Sequence, residues 1–237
     1  MAGWGQRDYS YAIYPQPYVI APPGRRGVRF SQEELKHILL SCGALIVAFS
    51  LAFLNPLFGG PLPTTRGIAE VVLGASVAVL TGFFLHELAH KIVAQRYGAW
   101  AEFRSSRSGL VLAIVTGLMG IVFAAPGAVY IAGPLSREQN GKVSVAGPFT
   151  NFVLGLVFLG GWIGIRGLSG GDLVGYVRSV LYLTAYINVF LGGFNMIPVP
   201  PLDGSKVIRW NPAIWIAVLV GIAAVFVVVF LPALFFG

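Results

Sequence analysis

The chain has 237 residues, of which 56% are hydrophobic and only 11% are charged. Ordinary soluble domains carry roughly 25% charged residues, so a soluble fold of this length would leave much apolar surface facing water. The composition therefore argues against an ordinary soluble protein and predicts a membrane protein. The net charge of +7 does not indicate nucleic-acid binding, because no motif for it is visible and the charges cluster at the ends of apolar runs.

Two regions follow one another along the chain. Residues 1–35 are polar and rich in Tyr and Pro, and we expect an extended or poorly ordered arm. Near its end, Ser31-Gln-Glu-Glu34 has the pattern of a capping box that starts a helix. Residues 36–237 form the predicted membrane domain, because its apolar runs are long enough to cross a bilayer. Five spans are expected, at residues 37–58, 68–97, 145–165, 174–197 and 211–236.

The second predicted span ends in His86-Glu87-Leu88-Ala89-His90. On a helix, residues four apart share a face, so both imidazoles can reach one metal ion. A carboxylate beside them can take the proton of a water that the metal activates. Two unrelated histidines near a membrane surface are the alternative, but ionisable groups inside a span are costly and usually functional. We therefore interpret the motif as a metal site.

A second motif ends the fourth span and reads Asn195-Met-Ile-Pro198-Val-Pro200-Pro201-Leu-Asp203-Gly204. Three prolines stop a helix abruptly. Non-helical backbone at membrane depth is tolerated only inside protein or beside a wet cavity, so Asp203 is expected at an opening. A catalytic zinc site needs three protein ligands, and Asp203 suits the third. An ordinary surface turn is the alternative for this motif when it is taken alone.

A third motif, Gly147-Pro148-Phe149-Thr150-Asn151, lies at the start of the third predicted span. Pro148 fits the first turn of a helix, which would place Asn151 one turn inside the span. Its side chain then has two possible roles. It either forms a hydrogen bond between helices, as membrane asparagines often do, or donates to a substrate or an oxyanion.

In this order, the three motifs resemble the signatures of the site-2 protease family of intramembrane metalloproteases, over residues 70–210. The resemblance implies one zinc ion held by His86, His90 and Asp203. It also implies that Glu87 is the catalytic base and that Asn151 assists substrate or oxyanion binding. Membrane-spanning proteins are the implied substrates, cut in or near their transmembrane segments.

The apolar segment Gly109–Gly133 is long enough to suggest a further crossing. A single crossing would separate His90 from Asp203, since only an even number of crossings returns the chain to one side. We therefore expect a re-entrant hairpin or strand pair beside the site, and a strand at Gly109–Val115 that holds unwound substrate by edge pairing. The fold class is then an all-α polytopic membrane protein with about five transmembrane helices and this short re-entrant segment.

The charges predict the orientation. With the N-terminus in the cytoplasm, most lysines and arginines fall on the cytoplasmic side, and only Arg66, Arg166 and Arg178 lie outside. The active site of this cell-membrane protein is then expected toward the cytoplasm.

Two other classes of membrane protein could carry the histidine motif. A different membrane metalloprotease would take a downstream glutamate as third ligand, and only Glu102 and Glu138 follow the histidine motif, neither on an apolar span. A metal transporter would carry polar residues across several spans.

Overall fold

The computed structural model describes residues 28–55 and 64–227. The first helix, α1, is Gln32–Phe53 and begins at Ser31, whose hydroxyl accepts a hydrogen bond from the Glu34 N–H at 3.1 Å. The predicted start is correct, but only half of the capping box forms. The Glu34 carboxylate bonds to Lys91 and to the Phe103 N–H instead of returning to the Ser31 backbone.

The second long helical stretch runs over Thr65–Arg96 in three parts. Helix α2 is Thr65–Val79, a π-helical turn covers Leu80–Phe84, and helix α3 is Leu85–Arg96. A π turn leaves the backbone wider than an α-helix and is common next to functional sites. Here it directly precedes the His86–His90 motif.

The predicted re-entrant segment is present, but its elements differ from those expected. Strand β1 is Trp100–Ser105, helix α4 is Arg107–Leu118 and strand β2 is Gly127–Ala132. The two strands pair antiparallel, from Trp100 opposite Ala132 to Ser105 opposite Gly127, so the chain returns to where it entered. The two ends of the segment therefore lie together, as expected of a re-entrant segment.

The strand predicted at Gly109–Val115 is wrong, because these residues lie in α4. The Ser106 side chain accepts a hydrogen bond from the Gly109 N–H and starts this helix. Helix α4 then packs on α1 so closely that a Cβ at Gly117 would lie 2.5 Å from the Ala48 carbonyl oxygen. Burial against a neighbouring helix outweighs the strand preference of β-branched residues, which depends strongly on context.

Helix α5, Arg137–Ile165, contains the predicted third span but begins earlier. Ser136 and Gln139 form a capping box at its start, followed by polar residues that hydropathy does not count as part of a span. The prediction that Pro148 opens a helix is wrong, because Pro148 is buried in its interior. Proline is tolerated inside membrane helices where neighbouring groups compensate for the lost hydrogen bond.

Helix α6, Asp172–Asn195, is followed by the proline-rich loop, in which the Pro200–Pro201 peptide bond is cis. A short helix α7, Gly204–Trp210, leads through Asn211 into helix α8, Pro212–Val225. The indole N–H of Trp215 in α8 donates to the Met196 carbonyl oxygen at 2.8 Å and ties α8 to the end of α6.

Four helical stretches of the described residues are long and apolar enough to cross a membrane: Gln32–Phe53, Thr65–Arg96, Arg137–Ile165 and Asp172–Asn195. They agree with the first four predicted spans, and the fold class, a mainly helical polytopic membrane protein with a small sheet, is confirmed. The fifth span, 211–236, stays a prediction, because residues 228–237 lie outside the described part. Most of the predicted arm, residues 1–27, also lies outside it.

Candidate metal centre

The structure brings together the three side chains that the sequence proposed as ligands. The Nε2 atoms of His86 and His90 lie 3.0 Å apart. Oδ2 of Asp203 lies 3.0 Å from the His90 nitrogen and 3.4 Å from the His86 nitrogen. All three residues are buried, and their ligand atoms lie within 4.8 Å of one another.

The outer nitrogens of both imidazoles are engaged by acceptors. Nδ1 of His90 lies 2.7 Å from the Val143 carbonyl oxygen, which can only accept, so this nitrogen carries a proton. Nδ1 of His86 lies 2.9 Å from Oδ1 of Asn151. In the neutral imidazoles, both Nε2 atoms therefore present lone pairs toward each other and toward Asp203.

The orientation of the Asn151 amide follows from its second partner. Its Nδ2 donates to the Gly82 carbonyl oxygen in the π turn at 2.9 Å, so its Oδ1 is the atom that faces His86. Asn151 is fully buried, and both ends of its amide have protein partners. The hydrogen bond between helices that the sequence left open is thus present, and it links α5 to the helix that carries the histidines.

One stripe of α5 forms the wall behind the histidines. Val143, Gly147 and Asn151 are spaced four apart, so they lie on the same face of the helix. A Cβ at Gly147 would lie 2.4 Å from Nε2 of His90 and 2.5 Å from Nε2 of His86. Only glycine lets α5 approach the two imidazoles this closely while its neighbours orient them.

The loop after α6 places Asp203 beside the two histidines. A Cβ at Gly204 would lie 2.2 Å from the Met196 carbonyl oxygen, so glycine is needed for α7 to start directly against the end of α6. The other carboxylate oxygen of Asp203, Oδ1, lies 3.6 Å from Nζ of Lys206.

This arrangement fits a divalent cation. Two imidazole lone pairs and a carboxylate oxygen at mutual distances of 3.0–3.4 Å repel one another unless a positive charge lies between them. Two histidines and one carboxylate form a known ligand set of catalytic zinc, which keeps a fourth position open. The hydrogen bonds from Nδ1 to protein oxygens are the usual support for such ligands.

Glu87 lies beside this cluster and is half-buried. Its carboxylate lies close to the backbone N–H of Val129 in β2. Strand β2 of the re-entrant segment therefore lies beside the histidine motif. A carboxylate here can exchange a proton with a water or a substrate held between the cluster and β2.

Comparison with known proteins agrees with this geometry. The model of peptidase family M50 matches residues 158–216. A protein of Methanocaldococcus jannaschii, named as a candidate zinc metalloprotease, is 40% identical over 200 residues, which cover 79% of this chain and 89% of the relative. The chain belongs to peptidase family M50, the site-2 protease family. This membership confirms the predicted enzyme class, a membrane metalloprotease, and the metal of the family, zinc.

Other M50 relatives are longer than this chain. A second zinc metalloprotease of Methanocaldococcus jannaschii is 28% identical over 133 residues, which cover 56% of this chain and 32% of the relative. A protein of Mycobacterium tuberculosis named as a candidate zinc metalloprotease, Rip3, is 32% identical over 136 residues, 57% of this chain and 30% of its own length. No solved structure matches.

Several residues around the M50 motifs could not be assigned a role from sequence. The Val143 carbonyl is a backbone group, so its side chain gives no signal. Gly147 belongs to a motif that was recognised, but its close approach to the histidines is visible only once α5 and α3 are packed. Glu34 was assigned only to a capping box and Lys91 to no role at the site, although the structure buries both.

Proposed function

We propose that this chain is an intramembrane zinc endopeptidase that hydrolyses peptide bonds in or near the transmembrane segments of membrane proteins. The observation that carries the proposal is the buried convergence of His86, His90 and Asp203 on helices and a loop of the membrane domain. A protease site on a membrane-spanning helix suits substrates that are themselves in the membrane.

In this proposal His86, His90 and Asp203 hold one zinc ion per chain. Bound zinc supplies Lewis-acid polarisation of the scissile carbonyl and lowers the pKa of a nearby water. Glu87 takes the proton of the attacking water and later gives it to the leaving amine, so it acts as base and then as acid. Its position beside the cluster, close to the Val129 N–H, supports this role.

Asn151 is better suited to positioning His86 than to touching the substrate. Its oxygen faces Nδ1 of His86, its nitrogen donates to the Gly82 carbonyl oxygen, and the side chain is fully buried between the two helices, away from an incoming substrate. An acceptor on Nδ1 fixes the tautomer in which Nε2 can bind a metal. We therefore propose the positioning role in place of the oxyanion role that the family resemblance implied.

Substrate is proposed to bind as an extended strand on β2. A helical substrate hides its peptide groups, so it has to unwind before hydrolysis. Among the described residues, β1 occupies one edge of β2 and no strand occupies the other. Addition to that free edge would supply backbone hydrogen bonds next to Glu87.

The alternative in which a downstream glutamate is the third metal ligand is not supported by the structure. Glu102 bonds to Arg104 at 2.6 Å, and Glu138 pairs with Lys142 on the surface of α5. Neither glutamate belongs to the cluster formed by the two histidines and Asp203. The charge distribution supports an orientation with the N-terminus and the site toward the cytoplasm.

The test uses the purified full chain in liposomes with a membrane-spanning test protein. We expect cleavage within or next to the transmembrane segment, mapped by mass spectrometry, which a zinc chelator stops and added zinc restores. A soluble protein that carries the same polar flanks is the matched control and should stay intact. Cleavage that survives full zinc removal, or that falls only in soluble substrates, would contradict the proposal.

A further inference from the structure

The two edges of the small sheet are in different environments. In an antiparallel strand, the N–H and C=O of one residue point to the same side, and successive residues alternate. Ala101, Phe103 and Ser105 of β1 therefore all present backbone groups on the edge that faces away from β2. These groups bond to side chains of α1 and α3 instead of to another strand.

The centre of this outer edge of β1 is held by a buried ion pair. Nζ of Lys91 lies 2.7 and 2.6 Å from the two carboxylate oxygens of Glu34 and donates to the Ala101 carbonyl oxygen at 2.8 Å. The same carboxylate accepts from the Phe103 N–H at 3.0 Å. Glu34 is 0% and Lys91 1% exposed, so both charges are removed from water.

The far end of the outer edge is held by the one histidine that the metal cluster does not use. Nδ1 of His37 accepts from the Ser105 N–H at 3.2 Å and lies 2.6 Å from the Ser105 hydroxyl. His37 stands three residues after Glu34, one turn along α1, so the two side chains share a face. Together, Glu34, His37 and Lys91 occupy the outer edge of β1 as a third strand would.

The opposite edge of the sheet is formed by β2 and lies beside Glu87. Phe103 is paired with Val129 across the sheet. Because the Phe103 N–H points outward to Glu34, the Val129 N–H points outward on the β2 side, where it meets the carboxylate of Glu87. The sheet is thus held between two glutamates, one on α1 and one on the helix with the histidines.

Stability alone does not account for the ion pair. Removing two charges from water costs several kcal/mol per ion, and their mutual attraction often only offsets that cost. An apolar pair would fill the same space without the penalty, but it could not bond to Ala101 and Phe103. The pair therefore provides a fixed position for β1.

We propose that Glu34, His37 and Lys91 are positioning residues: they close the outer edge of β1 and fix the sheet, so that unwound substrate joins only the β2 edge, in one register against Glu87. This rests on the proposed function, since it concerns how that site receives its substrate. None of the three residues touches the reacting groups in this proposal. Their loss should alter substrate binding and cut position more than zinc binding or the chemical step.

The experiment measures zinc content, KM, kcat and the bond cut in the membrane-spanning test protein. In Glu34→Gln we expect one zinc per chain, a KM raised about tenfold, a smaller change in kcat and cleavage spread over neighbouring bonds. Glu33→Gln is the matched control, because Glu33 is the adjacent glutamate, is exposed and forms its ion pair with Lys36 on the surface of α1. It should match the unmodified protein in every measurement.

A second pair of variants avoids leaving Lys91 buried without a partner. His37→Leu removes the acceptor for the Ser105 N–H, whereas His37→Asn keeps an oxygen near that place. We expect His37→Leu to raise KM and spread the cut positions, and His37→Asn to restore both. This pair decides the question where Glu34→Gln does not yield folded, zinc-loaded protein.

The outcomes separate the two proposals. If the unmodified chain does not cut the test protein, the proposed function fails and this inference fails with it. If it cuts, and His37→Leu and folded Glu34→Gln cut the same bond with an unchanged KM, the positioning role is wrong while the proposed function stands.

Discussion

Gly147 shows how one residue can determine the metal centre without being a ligand. Its missing side chain is the space in which Nε2 of His86 and of His90 lie, at 2.5 and 2.4 Å from the ideal Cβ position. Neither imidazole can move aside easily, because Asn151 and the Val143 carbonyl hold their Nδ1 atoms. Any side chain at position 147 would therefore displace the ligand nitrogens themselves.

We predict that Gly147→Ala weakens zinc binding by about tenfold to a hundredfold, the range seen when ligand orientation is disturbed, with a parallel loss of cleavage. Helix stability does not explain such a loss, because alanine is favoured over glycine in a helix by about 1 kcal/mol. Zinc titration and cleavage of the test protein measure the two effects.

Gly160→Ala is the matched control for this prediction, since it makes the same change in the same helix where a Cβ meets nothing within 4 Å. It should leave zinc affinity and cleavage unchanged. Normal zinc binding by Gly147→Ala would show that the histidines are not confined as the geometry indicates.

At the residue scale, the sequence was informative where chemistry depends on side-chain type and spacing. The spacing of His86 and His90 predicted one shared face. The proline break predicted that Asp203 lies at an opening, and the need for a third ligand predicted that it lies near the histidines. Glu34 was interpreted as a helix cap, because the local pattern around Ser31 is a capping pattern. Its actual partner, Lys91, is 57 residues away, and no local rule predicts such a pairing.

At the scale of elements, the re-entrant segment has both ends at one place. Trp100 at the start of β1 pairs with Ala132 at the end of β2, so α3 ends and α5 begins near the same end of the sheet. This pairing is the structural reason that Asp203, two spans later, can return to the histidines.

We therefore predict that Tyr97 and Glu138, which are exposed on either side of the re-entrant segment, lie on the same side of the membrane. Cysteines placed singly at these positions in a Cys42→Ala background should both resist an impermeant thiol reagent on intact cells and react once the membrane is opened. A cysteine at Ser169, between α5 and α6, should react from outside.

Labelling of the Glu138 position from outside, with the Tyr97 position protected, would contradict this topology. A true crossing would then separate the two positions, and the shared metal centre would have to be abandoned.

Hydropathy does not predict the type of every element or where each element begins. The need for an even number of crossings between His90 and Asp203 predicted that the re-entrant segment returns to the side from which it enters. It did not predict that α4 is a helix, since β-branched apolar residues occur in both membrane helices and strands. The start of α5 was placed late, because its polar first turns resemble a loop until the Ser136 capping box is recognised. Strand register depends on packing between distant residues such as Phe83 and Phe103, whose rings lie 5.5 Å apart.

At the scale of the whole molecule, the spans and the site form one arrangement. The four long helices expose much apolar surface, as expected of helices in contact with lipid, while polar residues gather inside around the metal cluster. Hydrogen bonds from α5 and from the π turn fix the histidines, and the sheet brings a backbone edge to Glu87. Each part is suited to hydrolysis of an unwound peptide within the membrane.

The central claim is that the centre is a protease site in which Glu87 moves the proton, and Glu87→Gln tests it most directly. The amide keeps the shape of the side chain but cannot act as a base, and the three proposed ligands are untouched. Purified Glu87→Gln in liposomes should retain one zinc per chain and cut the membrane-spanning test protein at least about a hundredfold more slowly than the unmodified chain. Near-normal cleavage by the zinc-loaded variant would contradict the account.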